Sequence, residues 1–179
     1  MKRIFVLVFI ILGLVGCSNE NIKSDSDKAE SGDNLSLEEQ IIHVMSENQL
    51  KDEEIIDYDI KGDFVYVIFK NNHDNGNTHN PDLVILKNNG GNLKWIAGPE
   101  NRTASVDSAM IFGRDDGPSV TINIPSDYTN IKDIKVLGES AKAVTYIQRI
   151  TDDFSREYKY WIAYTDEEPT HSDMEIITE

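Results

Sequence analysis

The sequence contains a single cysteine, Cys17, among its 179 residues. One thiol cannot form a disulfide within the chain, which excludes the class of small secreted proteins held together by disulfides. Basic residues are also scarce, because 17 Lys and Arg stand against 32 Asp and Glu and give a formal net charge of −15. This charge balance argues against nucleic acid as a partner, since binding to phosphates requires a basic face.

Several common catalytic and nucleotide-binding motifs are absent from the sequence. It has no G-x-S-x-G, no S-x-x-K, no P-loop and no G-x-G-x-x-G. His73 and His79 share a polar stretch with Asp74 and Asp82, but a His-x5-His spacing on a loop matches no common zinc site, and we interpret the stretch as a solvated loop. We expect no cofactor and no metal. Whether the protein is an enzyme stays open, although the lack of these motifs argues against it.

What the sequence does have is a distinctive N-terminus. Lys2 and Arg3 supply positive charge, and residues 4–16 (IFVLVFIILGLVG) follow without a charged side chain. A helix of that length spans about 20 Å, which is shorter than the hydrocarbon core of about 30 Å. The run is therefore typical of the apolar region of a signal peptide, over residues 1–16, with an uncleaved N-terminal anchor as the alternative.

The segment Leu14-Val15-Gly16-Cys17 ends this apolar run. It resembles the lipobox of bacterial lipoproteins, and the resemblance covers residues 1–17 only. The resemblance implies that Cys17 receives a diacylglyceryl group and becomes the first residue of the mature chain. It also implies a lipid-anchored protein on the extracytoplasmic face of the cell membrane, in either a Gram-positive or a Gram-negative cell. The alternative is an ordinary signal peptide in which Cys17 is the last apolar residue.

Residues 17–35 combine Cys17, which the resemblance marks for lipidation, with a polar stretch, SNENIKSDSDKAESGDN. A segment with one large apolar side chain, Ile22, cannot bury enough surface to offset its ordering entropy, so we predict a disordered tether. A flexible coil of this length reaches roughly 20–25 Å on average.

Loss of Lys2 and Arg3 with the signal peptide would leave 15 basic and 32 acidic residues, a formal charge of −17. Anionic lipid would repel such a body and keep it away from the membrane surface.

Residues 36–100 are predicted to form a helix on a four-stranded antiparallel meander. Ser36 and Glu39 have the spacing of a capping box. Leu37, Ile41, Val44 and Met45 place one apolar stripe on the helix that follows. Strands are expected at 55–60, 64–70, 83–87 and 93–97, joined by glycine-containing turns. Because both faces of 64–70 are apolar, this strand should be central and covered on both sides.

Residues 101–179 have no strong helical pattern and are predicted to form a small sheet or sandwich. The candidate strands are 108–112, 119–124, 131–137, 142–149, 158–164 and 174–178, separated by turns. A short helix over 141–150 is the alternative, because alanine and lysine favour helix. The predicted fold class is α+β, and we favour two β-rich subdomains packed together over one shared core.

Tyr158, Tyr160 and Trp161 crowd one predicted strand and are the candidate interaction surface, because Tyr and Trp are enriched at interfaces. A buried core with a cross-strand aromatic ladder is the alternative. The leading functional hypothesis is a non-enzymatic binding or accessory module, attached to the membrane through the lipid on Cys17 and facing a basic protein partner. The alternatives are an envelope hydrolase or metal-dependent enzyme, and an inhibitor or immunity-type protein that neutralises a basic envelope enzyme.

Overall fold

The computed structural model describes residues 35–50, 54–71, 80–106 and 108–179, all within one compact unit, Gly32–Glu179. The predicted signal peptide, Cys17 and residues 18–34 of the predicted tether lie outside the described residues. So do His73, Asp74 and His79 of the polar stretch. In the part that is described, no helix is long and apolar enough to span a membrane.

The helix α1, Leu37–Glu47, begins at a capping box. The backbone N–H of Glu39 donates to the Ser36 hydroxyl at 3.3 Å, and the Ser36 N–H donates back to the Glu39 carboxylate at 2.8 Å. These two bonds satisfy backbone donors that the first turn of a helix leaves free. Its apolar stripe, Ile41, Val44 and Met45, is buried.

The first sheet is an antiparallel meander of β1 (Ile55–Lys61), β2 (Phe64–Lys70), β3 (Pro81–Asn89) and β4 (Asn92–Ala97). All seven residues of β2 are buried, as expected for a strand that is apolar on both faces. Val65, Val67 and Phe69 pack with the stripe of α1 in one hydrophobic cluster. Their neighbours Phe64, Tyr66 and Ile68 belong to a second cluster on the opposite face.

The second sheet has five antiparallel strands: β5 (Ala104–Val106), β6 (Ala109–Phe112), β7 (Ser119–Asn123), β10 (Lys142–Thr151) and β11 (Phe154–Thr165). Their order across the sheet is β10-β11-β7-β6-β5. A third sheet has the order β12-β8-β9, from β8 (Ile131–Val136), β9 (Glu139–Ser140) and β12 (Met174–Thr178). Short 3-10 turns occupy Pro99–Asn101 and His171–Asp173.

One core joins the first and second sheets. Residues of β2 and β3, such as Tyr66 and Leu83, share a hydrophobic cluster with Ile122, Tyr160 and Ile162 of the second sheet. The core therefore crosses the expected boundary at residue 100, and the two halves of the body share it. Two strands of the third sheet, β8 and β9, contact β11 of the second sheet.

The α+β class is confirmed, since the described chain is mostly antiparallel sheet with one short helix. The six strands predicted in the second half all have counterparts, and the short strands β5 and β9 were not predicted. The alternative of a helix over 141–150 is wrong, because that segment is the edge strand β10. Its long pairing with β11 outweighs the local helix preference of alanine and lysine.

Candidate functional site

A cleft of about 690 Å³ lies where edge strands of the three sheets come together. It is lined by Asp59 and Lys61 of β1, by Glu139 and Ser140 of β9, by Lys142 of β10, by residues 162–165 of β11, and by Leu137, Asp166 and Glu167 in the connecting turns. Its volume falls within the range of about 300–1,000 Å³ that is typical of ligand sites. We call this feature the edge cleft.

A charged cluster lies at the edge cleft, and three of its four residues, Asp59, Lys142 and Tyr164, line it. The ammonium nitrogen of Lys142 lies 2.6 Å from Asp57 Oδ2 and 2.7 Å from Asp59 Oδ1. The hydroxyl of Tyr164 donates to the other oxygen of Asp59 at 2.8 Å. Lys142 and Tyr164 belong to the second sheet and the two aspartates to the first, so the cluster connects the sheets at their edge.

The register of β1 explains why both aspartates point towards the second sheet. An irregularity between Ile55 and Asp57 shifts the pairing, so that Asp57 lies opposite Ile68 and Asp59 opposite Tyr66. Ile68 and Tyr66 both face the core that the two sheets share. Paired residues in a sheet project from the same face, so the two carboxylates project towards Lys142 and Tyr164.

Two members of this cluster, Lys142 and Tyr164, have shifted pKa values. Burial by itself lowers the pKa of Lys142, but hydrogen bonds to Asp57 and Asp59 and the charges of both raise it overall. Burial raises the pKa of the Tyr164 hydroxyl, and the negative charge of Asp59 raises it further. Both groups therefore keep their protons near pH 7. The cluster is suited to holding charge and shape rather than to moving a proton.

The rim of the edge cleft is acidic. Glu139, Asp166 and Glu167 are exposed, and Lys142 is already matched by Asp57 and Asp59. Lys61 places its ammonium 4.9 Å from the centre of the Tyr164 ring, in a cation–π contact. The unpaired charge around the opening is thus mainly negative, which favours a cationic ligand or surface.

The predicted interaction surface is only partly accessible. Tyr160 and Trp161 are 0 % and 1 % exposed, so neither can contact a partner, and this part of the prediction is corrected. Tyr160 lies in the core between the first two sheets, and Trp161 projects from the opposite face of β11. Tyr158 is half-buried and stacks on Tyr146 with ring centres 5.4 Å apart, as the alternative of a cross-strand aromatic ladder expects.

Asp82, the described carboxylate of the His73–His79 stretch, has a structural role. It is 2 % exposed and accepts hydrogen bonds from Arg102 Nη2 at 2.8 Å and Asn71 Nδ2 at 2.9 Å. These partners compensate the desolvation of its charge. Over the described ranges, no group of three or more His, Cys, Asp or Glu is arranged to hold a metal ion.

Sequence reasoning missed the edge cleft and its charged cluster. Asp57 and Lys142 are separated by 85 positions, and neither stands in a recognisable motif. The alternation Asp57-Tyr58-Asp59 could have indicated the charged cluster, because it places two acidic side chains on one face of an otherwise mostly apolar strand.

Comparison with known proteins adds no relative: no family model matches this chain, and no curated protein or solved structure does.

Proposed function

We propose that this chain is a lipoprotein of the bacterial cell envelope, anchored through a lipid on Cys17 to the extracytoplasmic face of the membrane. The support is the order of positive charge, apolar run and Leu14–Cys17 segment at the N-terminus. Two acyl chains on one cysteine give durable attachment, where a single chain gives only marginal binding. On this proposal the helix and the three sheets form a body at the end of the tether of residues 17–35.

The body of this lipoprotein acts as a non-enzymatic binding or accessory module. The observation that supports a binding function is the edge cleft, an opening of about 690 Å³. Its inner ionisable groups, Lys142, Asp59 and Tyr164, are paired with one another. General acid–base catalysis works best with groups that titrate near the operating pH. Lys142 and Tyr164 have raised pKa values instead, while the exposed rim offers fixed negative charge. Such a surface binds a complementary cation more readily than it transforms a substrate.

The partner is a protein with a basic surface. The mature chain would have a formal charge of −17, and charge of one sign accelerates encounter with a partner of the opposite sign. An inhibitor of a basic envelope enzyme would be one form of such a module. The competing explanation is that the charge only keeps the protein soluble.

A photo-crosslinking residue in place of Ser140, inside the edge cleft, tests this function in living cells. The control places the same residue at Glu38, which is exposed on α1. We expect a basic protein to be captured from position 140 and not from position 38. With both proteins purified, association should slow several-fold between about 50 mM and about 300 mM salt, because the Debye length falls to about 6 Å. A neutral or acidic partner, or a rate indifferent to salt, would contradict the proposal.

A further inference from the structure

Leu137 occupies an unfavourable backbone position at the mouth of the edge cleft. It forms, with Gly138, the two-residue turn between Val136 of β8 and Glu139 of β9, which are paired. Both turn residues have positive φ, 50° for Leu137 and 85° for Gly138, as a type I′ turn requires. Asn, Asp or Gly usually fills the first position of such a turn, and a bulky side chain there is an outlier.

In the other hairpin turns with positive φ, glycine occupies the positions with that backbone conformation. Gly62 stands in the turn between β1 and β2, and Gly90 and Gly91 form the turn between β3 and β4. Among the described residues, Gln49 is the one other non-glycine with positive φ, and it lies directly after the C-cap of α1 rather than in a hairpin.

The Leu137 side chain does not offset this conformation by burial, because it is 40 % exposed. It lies in the lining of the edge cleft together with Glu139, Asp166 and Glu167. A strained and exposed apolar residue at an opening is unfavourable for folding alone, and such positions cluster at functional sites. The mouth of the cleft thus combines an apolar contact with three carboxylates.

We propose that this mouth docks a basic segment of a partner protein, in which an apolar side chain contacts Leu137 and flanking Lys or Arg side chains meet Glu139, Asp166 and Glu167. This rests on the proposed function and names the chemistry of its partner. A volume of about 690 Å³ at a surface opening accommodates a few residues of such a segment. A second copy of this chain fits poorly, because each copy has a net charge of −15.

The decisive variant is Leu137→Asn. Asparagine is favoured at this turn position, so the melting temperature of the variant should rise by about 2–4 °C. Its affinity for a docked segment should fall, because the apolar contact is lost. A change that stabilises the fold while weakening binding separates a binding role of Leu137 from a structural one.

The binding probe is a fluorescent peptide, Lys-Leu-Lys-Leu-Lys, titrated with the full-length chain in non-ionic detergent and compared with a detergent-only blank. Lys-Ser-Lys-Ser-Lys tests the apolar contact, Glu-Leu-Glu-Leu-Glu tests charge, and spermine tests a small polycation. We expect the first peptide to bind tightest of the four, and Leu137→Asn to reduce its affinity by about fivefold, to the level of the serine peptide.

Charge variants complete the test. Glu139→Gln combined with Asp166→Asn and Glu167→Gln should weaken the Lys-Leu peptide by about tenfold. The control triple Glu38→Gln, Asp153→Asn and Glu175→Gln removes the same charge from exposed positions outside the cleft and should change affinity by less than about twofold.

Docking at Leu137 is overturned if Leu137→Asn keeps full affinity or lowers the melting temperature, if both charge triples weaken binding equally, or if spermine binds as tightly as the peptide. None of these readouts depends on the lipid, so a failure of lipidation at Cys17 would be distinguishable from a failure of docking.

Discussion

Lys142 and Asp59 are 83 positions apart in the sequence, yet their ammonium and carboxylate groups lie 2.7 Å from each other. The pair connects the edge of the first sheet to the edge of the second, beside the core that the two sheets share. Asp57 approaches the same ammonium at 2.6 Å. The positive charge of Lys142 therefore allows the two neighbouring carboxylates to lie half-buried side by side.

Removing the ammonium by Lys142→Met should destabilise the fold by about 1–3 kcal/mol, because Asp57 and Asp59 then face each other without a counter-charge. Urea denaturation measures the change. Lys132→Met, at an exposed lysine, is the control and should stay within about 0.5 kcal/mol.

The same cluster can be tested by a mutant cycle. In a chain that already has Asp57→Asn and Asp59→Asn, Lys142→Met should be much less destabilising, because no paired charge is left to expose. An unchanged cost in that background would show that Lys142 stabilises the protein through packing of its aliphatic chain alone.

Alkaline pH should destabilise the protein in a range set by buried tyrosines. Burial raises the pKa of Tyr66 to about 12, and burial likewise raises the pKa values of Tyr146, Tyr160 and Tyr164. A tyrosine of the unfolded chain loses its proton near pH 10. The stabilisation that these protonated hydroxyls contribute is therefore complete below about pH 10. It is lost as the pH rises through about 12, because only the folded state retains these protons above pH 10.

Tyrosine absorbance and urea midpoints, recorded together from about pH 8 to about pH 12, check this range. We expect Tyr66, Tyr146, Tyr160 and Tyr164 to ionise only as the chain unfolds. Complete ionisation of all seven tyrosines in a chain that is still folded would contradict the burial of these hydroxyls.

The packing of α1 on the first sheet is testable at two adjacent residues. Ile41 is fully buried, whereas Ile42 is 54 % exposed. Ile41→Ala should reduce the free energy of unfolding by about 2–4 kcal/mol, because it leaves a cavity against β2 and β3. Ile42→Ala should change it by less than about 0.5 kcal/mol. A loss below about 0.5 kcal/mol for Ile41→Ala as well would mean that α1 contributes little to the core.

Local patterns predicted much of the body, because the features that specify it are close together in sequence. Ser36 and Glu39 define the start of α1, and the two apolar faces of β2 identify a central strand. The shared core escaped prediction, because it depends on which faces of distant strands meet, as Tyr66 and Tyr160 do.

The candidate site was harder to predict than the fold. Residue type alone points to the tyrosines and the tryptophan near residue 160 as an interaction surface, but β11 is an inner strand and buries Trp161 on one face and Tyr160 on the other. The edge cleft arises from strand edges that only the tertiary fold brings together. Leu137 was inconspicuous in the sequence, since its unusual character lies in its φ angle.

The central claim is that Cys17 carries the membrane anchor, and metabolic labelling with a fatty acid in the native host tests it most directly. Wild-type protein should take up label, fractionate with the membrane, and run at the size expected after loss of residues 1–16. Cys17→Ala should take up no label and stay at precursor size. A wild-type protein without label, or a Cys17→Ala variant that is still labelled and still processed, would contradict the account.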